Sequence, residues 1–169
     1  MNKDALLLIG AGGLAYAAYQ VAKGKPITSI DFTSVGQISQ EVDVVARTIW
    51  GEARGEGERG MHAVANVIIN RAKKGGWWGN TPVEVCLKPS QFSAWNRNDP
   101  NFDLARKVTA QDPVFRLALE IAGRAIAGTL PDITNGATHY FNPEVVMPSW
   151  ASALNYIADI GNHRFYGDA

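Results

Sequence analysis

The sequence predicts an α+β domain, mostly helical with a small antiparallel sheet near the C-terminus and preceded by one N-terminal hydrophobic helix. Three observations carry this. Val42, Val45, Ala46, Ile49 and Ala53 recur at helical spacing. Met61 to Ala72 is apolar nearly all round, the signature of a helix in the middle of a domain. After the turn signal Asn135-Gly136, Ala137 to Phe141 has strand composition until Pro143 stops it, and Asn155 to Ile160 and His163 to Tyr166 read as a hairpin about Gly161-Asn162.

The elements follow in chain order. Ala5 to Ala22 is uncharged over eighteen residues, with Lys3 and Asp4 before it and Lys23 and Lys25 after it. As a helix it spans roughly 27 Å, just short of the ~30 Å hydrocarbon core of a bilayer. Residues 1–25 therefore read as a membrane anchor, as a signal peptide cut near Ala15-Tyr16-Ala17, or as a packing helix in a virion or protein complex. Residues 26–38 read as a linker, with Pro26, several Ser and Thr, and no sustained helical period. A single domain over 39–169 follows, with Ser39 as the expected cap of its first helix.

Asn66 and Asn70, four apart on the second helix, are expected to hydrogen-bond neighbouring loops. Thr81-Pro82-Val83-Glu84 has the form of a helix start, with Thr81 as cap and Glu84 reaching back. That helix is short because Pro89 follows, and Gln91 to Asn96 sits in a loop where Pro89, Asn98 and Pro100 oppose regular structure. Asp112-Pro113 opens a further core helix to about Ala127, ended by Gly128.

Bulk properties narrow the function. The chain of 169 residues accommodates one domain with a real core plus an appendage. Sixteen basic residues balance sixteen acidic ones, which removes the electrostatic case for nucleic acid. The lone Cys86 excludes an internal disulfide, and His62, His139 and His163 match no metal-ligand spacing, so neither metal nor cofactor is expected.

The chemistry concentrates in Trp50-Gly51-Glu52-Ala53-Arg54-Gly55-Glu56-Gly57-Glu58-Arg59-Gly60, where an apolar helix runs into glycines and carries Glu52 and Glu56 four residues apart. At ~100° per residue Glu52 falls about 20° from Val45, on the flank of the apolar stripe. A carboxyl so placed is partly desolvated, keeps its proton at higher pH and suits general acid chemistry at a sugar bond. The adjacent glycines allow a polymer to approach the backbone closely.

The ordered blocks Val44 to Glu56, Gly60 to Arg71, Gln91-Phe92-Ser93-Ala94, Gly136 to Pro143 and Ile160 to Phe165 resemble the SleB-like cell-wall hydrolases over about Val42 to Tyr166. The resemblance implies a lysozyme-like arrangement of the domain and a peptidoglycan glycan strand as substrate, cleaved between MurNAc and GlcNAc. It places the catalytic glutamate at Glu52. A lytic transglycosylase needs only that one carboxyl, which protonates the bond oxygen and then acts as base while the muramic hydroxyl closes an anhydro ring.

A hydrolytic muramidase needs a second carboxylate or a positioned water, and Glu56 is the nearby sequence candidate. Glu56 is otherwise expected to support the site, by capping backbone donors at the second helix or by pairing with Arg54 or Arg59. The resemblance further implies that Gln91, Phe92, Ser93, Tyr140 and Asn142 bind substrate, and that His163 is structural. The loops at Gly75 to Gly79 and Trp95 to Asp103 depart from the family pattern, and exposed aromatics there suit stacking on sugars. The setting expected is a phage lysin or virion-associated wall hydrolase, anchored in a membrane with its domain facing the wall or periplasm and with virion proteins as further partners. A structural virion membrane protein that keeps the fold and a non-catalytic glycan-binding module remain the alternatives.

Overall fold

The computed structural model of the protein describes residues 32–168, so the expected hydrophobic helix over 1–25, with its anchor and signal readings, lies outside the described residues. Helix α1, Phe32–Ala53, begins before the expected Ser39 cap, so residues 32–38 of the expected linker are helical. Its apolar stripe, Val42, Val45, Ala46, Ile49 and Ala53, is buried as the spacing requires. A 3-10 turn, Arg54–Glu56, then reverses the chain into α2, Gly57–Lys74, with Gly57 at φ 67°.

Helix α2 is apolar nearly all round because it has two neighbours. Met61, Val64, Ala65 and Ile68 join the helical core, whereas Ala63 and Val67 pack under the sheet with Ala137, Ile160 and Phe165. Asn66 and Asn70 tie α2 to the segment ahead of the sheet. The Asn66 amide donates to the Pro131 carbonyl and accepts from the Ile133 N–H, and Asn70 donates to Asp132 and to the Ala137 carbonyl. Gly75, at φ 66°, returns its N–H to the Arg71 carbonyl and ends the helix.

Helix α3, Pro82–Leu87, starts as expected, with Thr81 Oγ1 accepting from the Glu84 N–H. Glu84 reaches back one residue further than a standard capping box, to the Asn80 N–H. Ser93–Trp95 form a single 3-10 turn, and α4, Asn101–Lys107, is an addition that the Pro- and Asn-rich sequence did not announce. Helix α5, Pro113–Ile126, opens on the Asp112 cap and packs along α1 and α2.

Strands β1, His139–Phe141, β2, Asn155–Ile160, and β3, His163–Gly167, form an antiparallel sheet in the order β1-β3-β2. His139 pairs with Tyr166 and Ile160 with His163, with a bulge between Tyr156 and Ala158. Removing the buried ring at the sheet–α2 contact, Phe165→Ala, is expected to cost about 3–5 kcal/mol, read by chemical denaturation. Among the described residues no helix is long and apolar enough to cross a membrane.

Candidate active site

Glu52 lies in the last turn of α1, on the edge of the buried stripe, and is half-buried. Three donors from two distant segments converge on it. Oε1 accepts from the Ala94 N–H at 2.9 Å and, more weakly, from Ser93 Oγ at 3.4 Å. Oε2 accepts from the Tyr140 hydroxyl at 3.0 Å. Burial raises the carboxyl above its ordinary range, while the Ala94, Tyr140 and Ser93 hydrogen bonds oppose the shift and the charge of Asp99 adds to it. Tyr140 is itself pushed well up, by burial first and by the Glu52 charge second, so its hydroxyl stays a donor. The result is a protonatable carboxyl held in one orientation.

Gly51 makes this convergence possible. A Cβ there would stand 2.5 Å from Ala94 Cβ, so only a glycine lets the 3-10 turn approach α1 closely enough for the Ala94 N–H to reach Glu52.

Glu56 supports the fold through a partner other than those expected. Neither an ion pair to Arg54 or Arg59 nor a cap on α2 forms. Its carboxylate accepts from the Asn162 N–H at 2.7 Å and the Asn162 side-chain amide at 3.1 Å, clasping the β2–β3 turn. Gly161 presses against it at φ 61°, where a side chain would collide with the Glu56 oxygen. Glu56→Ala is expected to lower stability by about 0.5–1.5 kcal/mol, seen as a drop in denaturation midpoint, because it removes the two hydrogen bonds that fix the turn while water satisfies its exposed donors.

Three expected substrate residues have partners within the fold. Phe92 is 2% exposed and anchors its loop in the helical core, so its ring does not meet a sugar face. The Gln91 amide is engaged at both ends, donating to the Trp78 carbonyl at 2.6 Å and accepting from Arg71 at 3.3 Å. Asn142 Oδ1 accepts from the Glu144 N–H and shapes the turn after β1. Ser93, exposed, and Tyr140, half-buried, are the two brought to the carboxyl. His163 packs edge-on against the Tyr140 ring. Of the divergent loops, Trp78 lies under Arg71 and Trp95 donates to Thr48, whereas Trp77 is 65% exposed.

Two residues near the carboxyl were given no role from the sequence, although Arg71 closes the Gly60 to Arg71 block. Asp99 accepts from the Asn101 N–H at the start of α4 while its charge is felt at Glu52. Arg71, 6% exposed, runs beneath the site from α2. Arg71 shares the last turn of α2 with Lys73 and Lys74, so charge alone did not single it out. No cluster of metal-ligating side chains occurs among the described residues.

Similarity to known proteins settles the family. The chain matches the cell wall hydrolase family over residues 55–166. It belongs to that family. Glu52 lies three residues before the matched segment. The crystallised catalytic domain of the Bacillus cereus SleB protein is 31% identical, covers 75% of this chain and 89% of its own, and superposes with a TM-score of 0.58. The catalytic domain of the germination-specific lytic transglycosylase SleB from Bacillus anthracis is 28% identical, with a TM-score of 0.59 over 84% of this chain and 99% of that one. The spore cortex-lytic enzyme of Halalkalibacterium halodurans is 31% identical over 132 residues, 77% of this chain but 36% of the relative. The chain thus spans well under half the length of that relative.

Proposed function

We propose that this domain, in a lysozyme-like arrangement, cleaves the MurNAc–GlcNAc bond of peptidoglycan glycan strands as a lytic transglycosylase, with Glu52 as its single catalytic carboxyl. The supporting observation is the carboxyl itself, half-buried, raised in pKa and fixed by Ala94, Ser93 and Tyr140, while Glu56 is committed to the hairpin turn. Glu52 starts protonated and gives its proton to the bond oxygen. The resulting carboxylate is received by the Ala94 N–H and the Tyr140 hydroxyl, which strengthen as charge develops. It then removes the proton of the muramic C6 hydroxyl, whose oxygen attacks the anomeric carbon and closes the anhydro ring. The proton count balances, and no water is consumed.

Digestion of purified peptidoglycan with mass analysis of the products tests this. Anhydro-muramic ends are expected. Reducing muramic ends carrying oxygen from labelled water would move the reading to a muramidase. That second reading rests on Asp99, the other carboxylate felt by Glu52, and Asp99→Asn would then abolish turnover. No cleavage at all would favour a binding module or a structural virion protein.

Because Glu52 acts first as an acid and its pKa is raised, kcat/KM is expected to hold at low pH and fall as pH rises through that pKa. Tyr140→Phe removes one hydrogen bond to the carboxylate and so raises the Glu52 pKa further, moving this fall to higher pH. A pH–rate profile of both proteins checks the direction.

The setting we favour is a phage lysin or virion-associated wall hydrolase held by Ala5 to Ala22 in a membrane, with the domain on the wall side. The support is the uncharged length of that segment, the lysines after it and a substrate found outside the cytoplasm. Fractionating cells that express the full chain, and a version starting at Pro26, tests it. Identical soluble partitioning of both, with the long form still beginning at Met1, would leave a packing helix as the better reading.

A further inference from the structure

Arg71 is a buried charge without a carboxylate partner. It makes none of the ion pairs found among the described residues, although it is 6% exposed. Its Nε donates to the Thr138 carbonyl at 2.7 Å and its Nη1 to Gln91 Oε1 at 3.3 Å. The guanidinium lies against two rings, 4.5 Å from the Trp78 centroid and 5.0 Å from that of Phe92. Thr138 stands two residues before Tyr140, and Gln91 two and three residues before Ser93 and Ala94. The two anchors of Arg71 therefore belong to the two segments that supply every donor on Glu52.

We propose that Arg71 is a positioning residue for the reaction, its guanidinium tying the Gln91–Ala94 loop to strand β1 so that the Ala94 N–H and the Tyr140 hydroxyl meet on the Glu52 carboxylate.

A neutral amide at the end of α2 could make similar ties without the cost of desolvating a charge. The charge adds a positive potential where the carboxylate forms after proton transfer, and Arg71 interacts electrostatically with both Tyr140 and Glu52. The planar fork also suits the position, since its face can meet aromatic rings while its N–H groups bond two carbonyl-type oxygens, which a lysine ammonium does not do. The other ionisable groups facing Glu52 are Tyr140 from β1, Asp99 ahead of α4 and Cys86 from α3. Burial pushes the Cys86 thiol up to about 12, so it stays neutral, and Asp99 acts against Arg71.

This proposal rests on the reading of Glu52 as the acid, and the two can be separated. The Glu52 carboxyl is followed by carbon NMR in the full chain, its signal assigned by its loss in Glu52→Gln. In Arg71→Met the signal is expected to titrate at higher pH than in the wild type. The fall of kcat/KM at high pH is expected to move with it, and kcat to drop about 10²-fold with little change in KM. An unmoved titration, with activity lowered by one factor at every pH, overturns the positioning role. If Arg71→Met does not fold, Gln91→Leu removes the side-chain bond from Arg71 to the loop, together with the Gln91 bond to the Trp78 carbonyl, and leaves the charge and the longer 3.5 Å bond from Arg71 to the Gln91 backbone carbonyl. It is expected to move the titration in the same direction by less, and an unmoved titration there overturns the proposal. An active Glu52→Gln alongside a shifted Glu52 titration in Arg71→Met would remove the acid reading and leave the tie intact.

Discussion

Glu52→Gln is expected to keep the fold and lose wall-degrading activity by about 10²–10⁴-fold, the usual contribution of a positioned general acid. The amide has nearly the shape of the carboxyl, and the Ala94 N–H can still donate to its oxygen. It has no proton to give and cannot become a base. Turnover above about a tenth of wild type would rule Glu52 out as the acid. A stability measurement sharpens the test. The folded-state pKa of Glu52 is raised, so the folded protein binds that proton more tightly than the unfolded chain does. The wild type therefore loses stability as pH rises through the unfolded and then the folded pKa, and the uncharged glutamine is free of that loss. Glu52→Gln is expected to be at least as stable as wild type at neutral pH, with the advantage vanishing in acid. A variant less stable than wild type at neutral pH would mean that the ionised carboxylate contributes more through its hydrogen bonds than its desolvation costs.

Gly51→Ala is the second large effect expected, and local propensity predicts the opposite sign. In a helix interior alanine is favoured over glycine by about 1 kcal/mol, so α1 considered alone would be stabilised. The new methyl would stand 2.5 Å from Ala94 Cβ, a contact that no rotamer change relieves because neither side chain has one. The 3-10 turn or the helix must move, at a typical overpacking cost of about 1–3 kcal/mol. The movement withdraws the Ala94 N–H from Glu52. A displacement near 1 Å is enough for about a 10²-fold loss of kcat. Kinetics and a denaturation curve on the same preparation decide the matter. A Gly51→Ala variant more stable than wild type and fully active would show that the close approach is dispensable.

Much of this was legible along the chain. Caps act within one turn, so Thr81-Pro82 and Asp112-Pro113 announced α3 and α5 directly. The periodicity of α1 placed Glu52 on the border of a buried face, because burial along a helix follows its own apolar stripe. The all-round apolar character of α2 predicted a central helix but not that its neighbours would be a helical layer on one side and a sheet on the other. Helix α4 was missed because it lacks a side-chain cap and follows prolines and asparagines that ordinarily break helices. Gln91 and Phe92 belonged to a recognisable block, but the block alone did not say which way each side chain faces. Phe92 anchors the loop from below and Gln91 spends its amide on Trp78 and Arg71.

The sequence by itself determined the family, most of the helical and strand segments, and Glu52 as the carboxyl in the right electrostatic setting. These depend on residue type and short-range spacing. Tertiary structure decided what holds that carboxyl. Tyr140 stands 88 residues away and the Ala94 N–H 42, and a backbone donor has no side-chain signature at all. It also decided that Glu56 serves a turn 106 residues distant and that Arg71 joins two segments 67 and 20 residues from itself. Hydrogen bonds and charges act over a few ångströms of space whatever the separation in sequence, so the partners of these groups exist only once α1, α2 and the sheet are packed together.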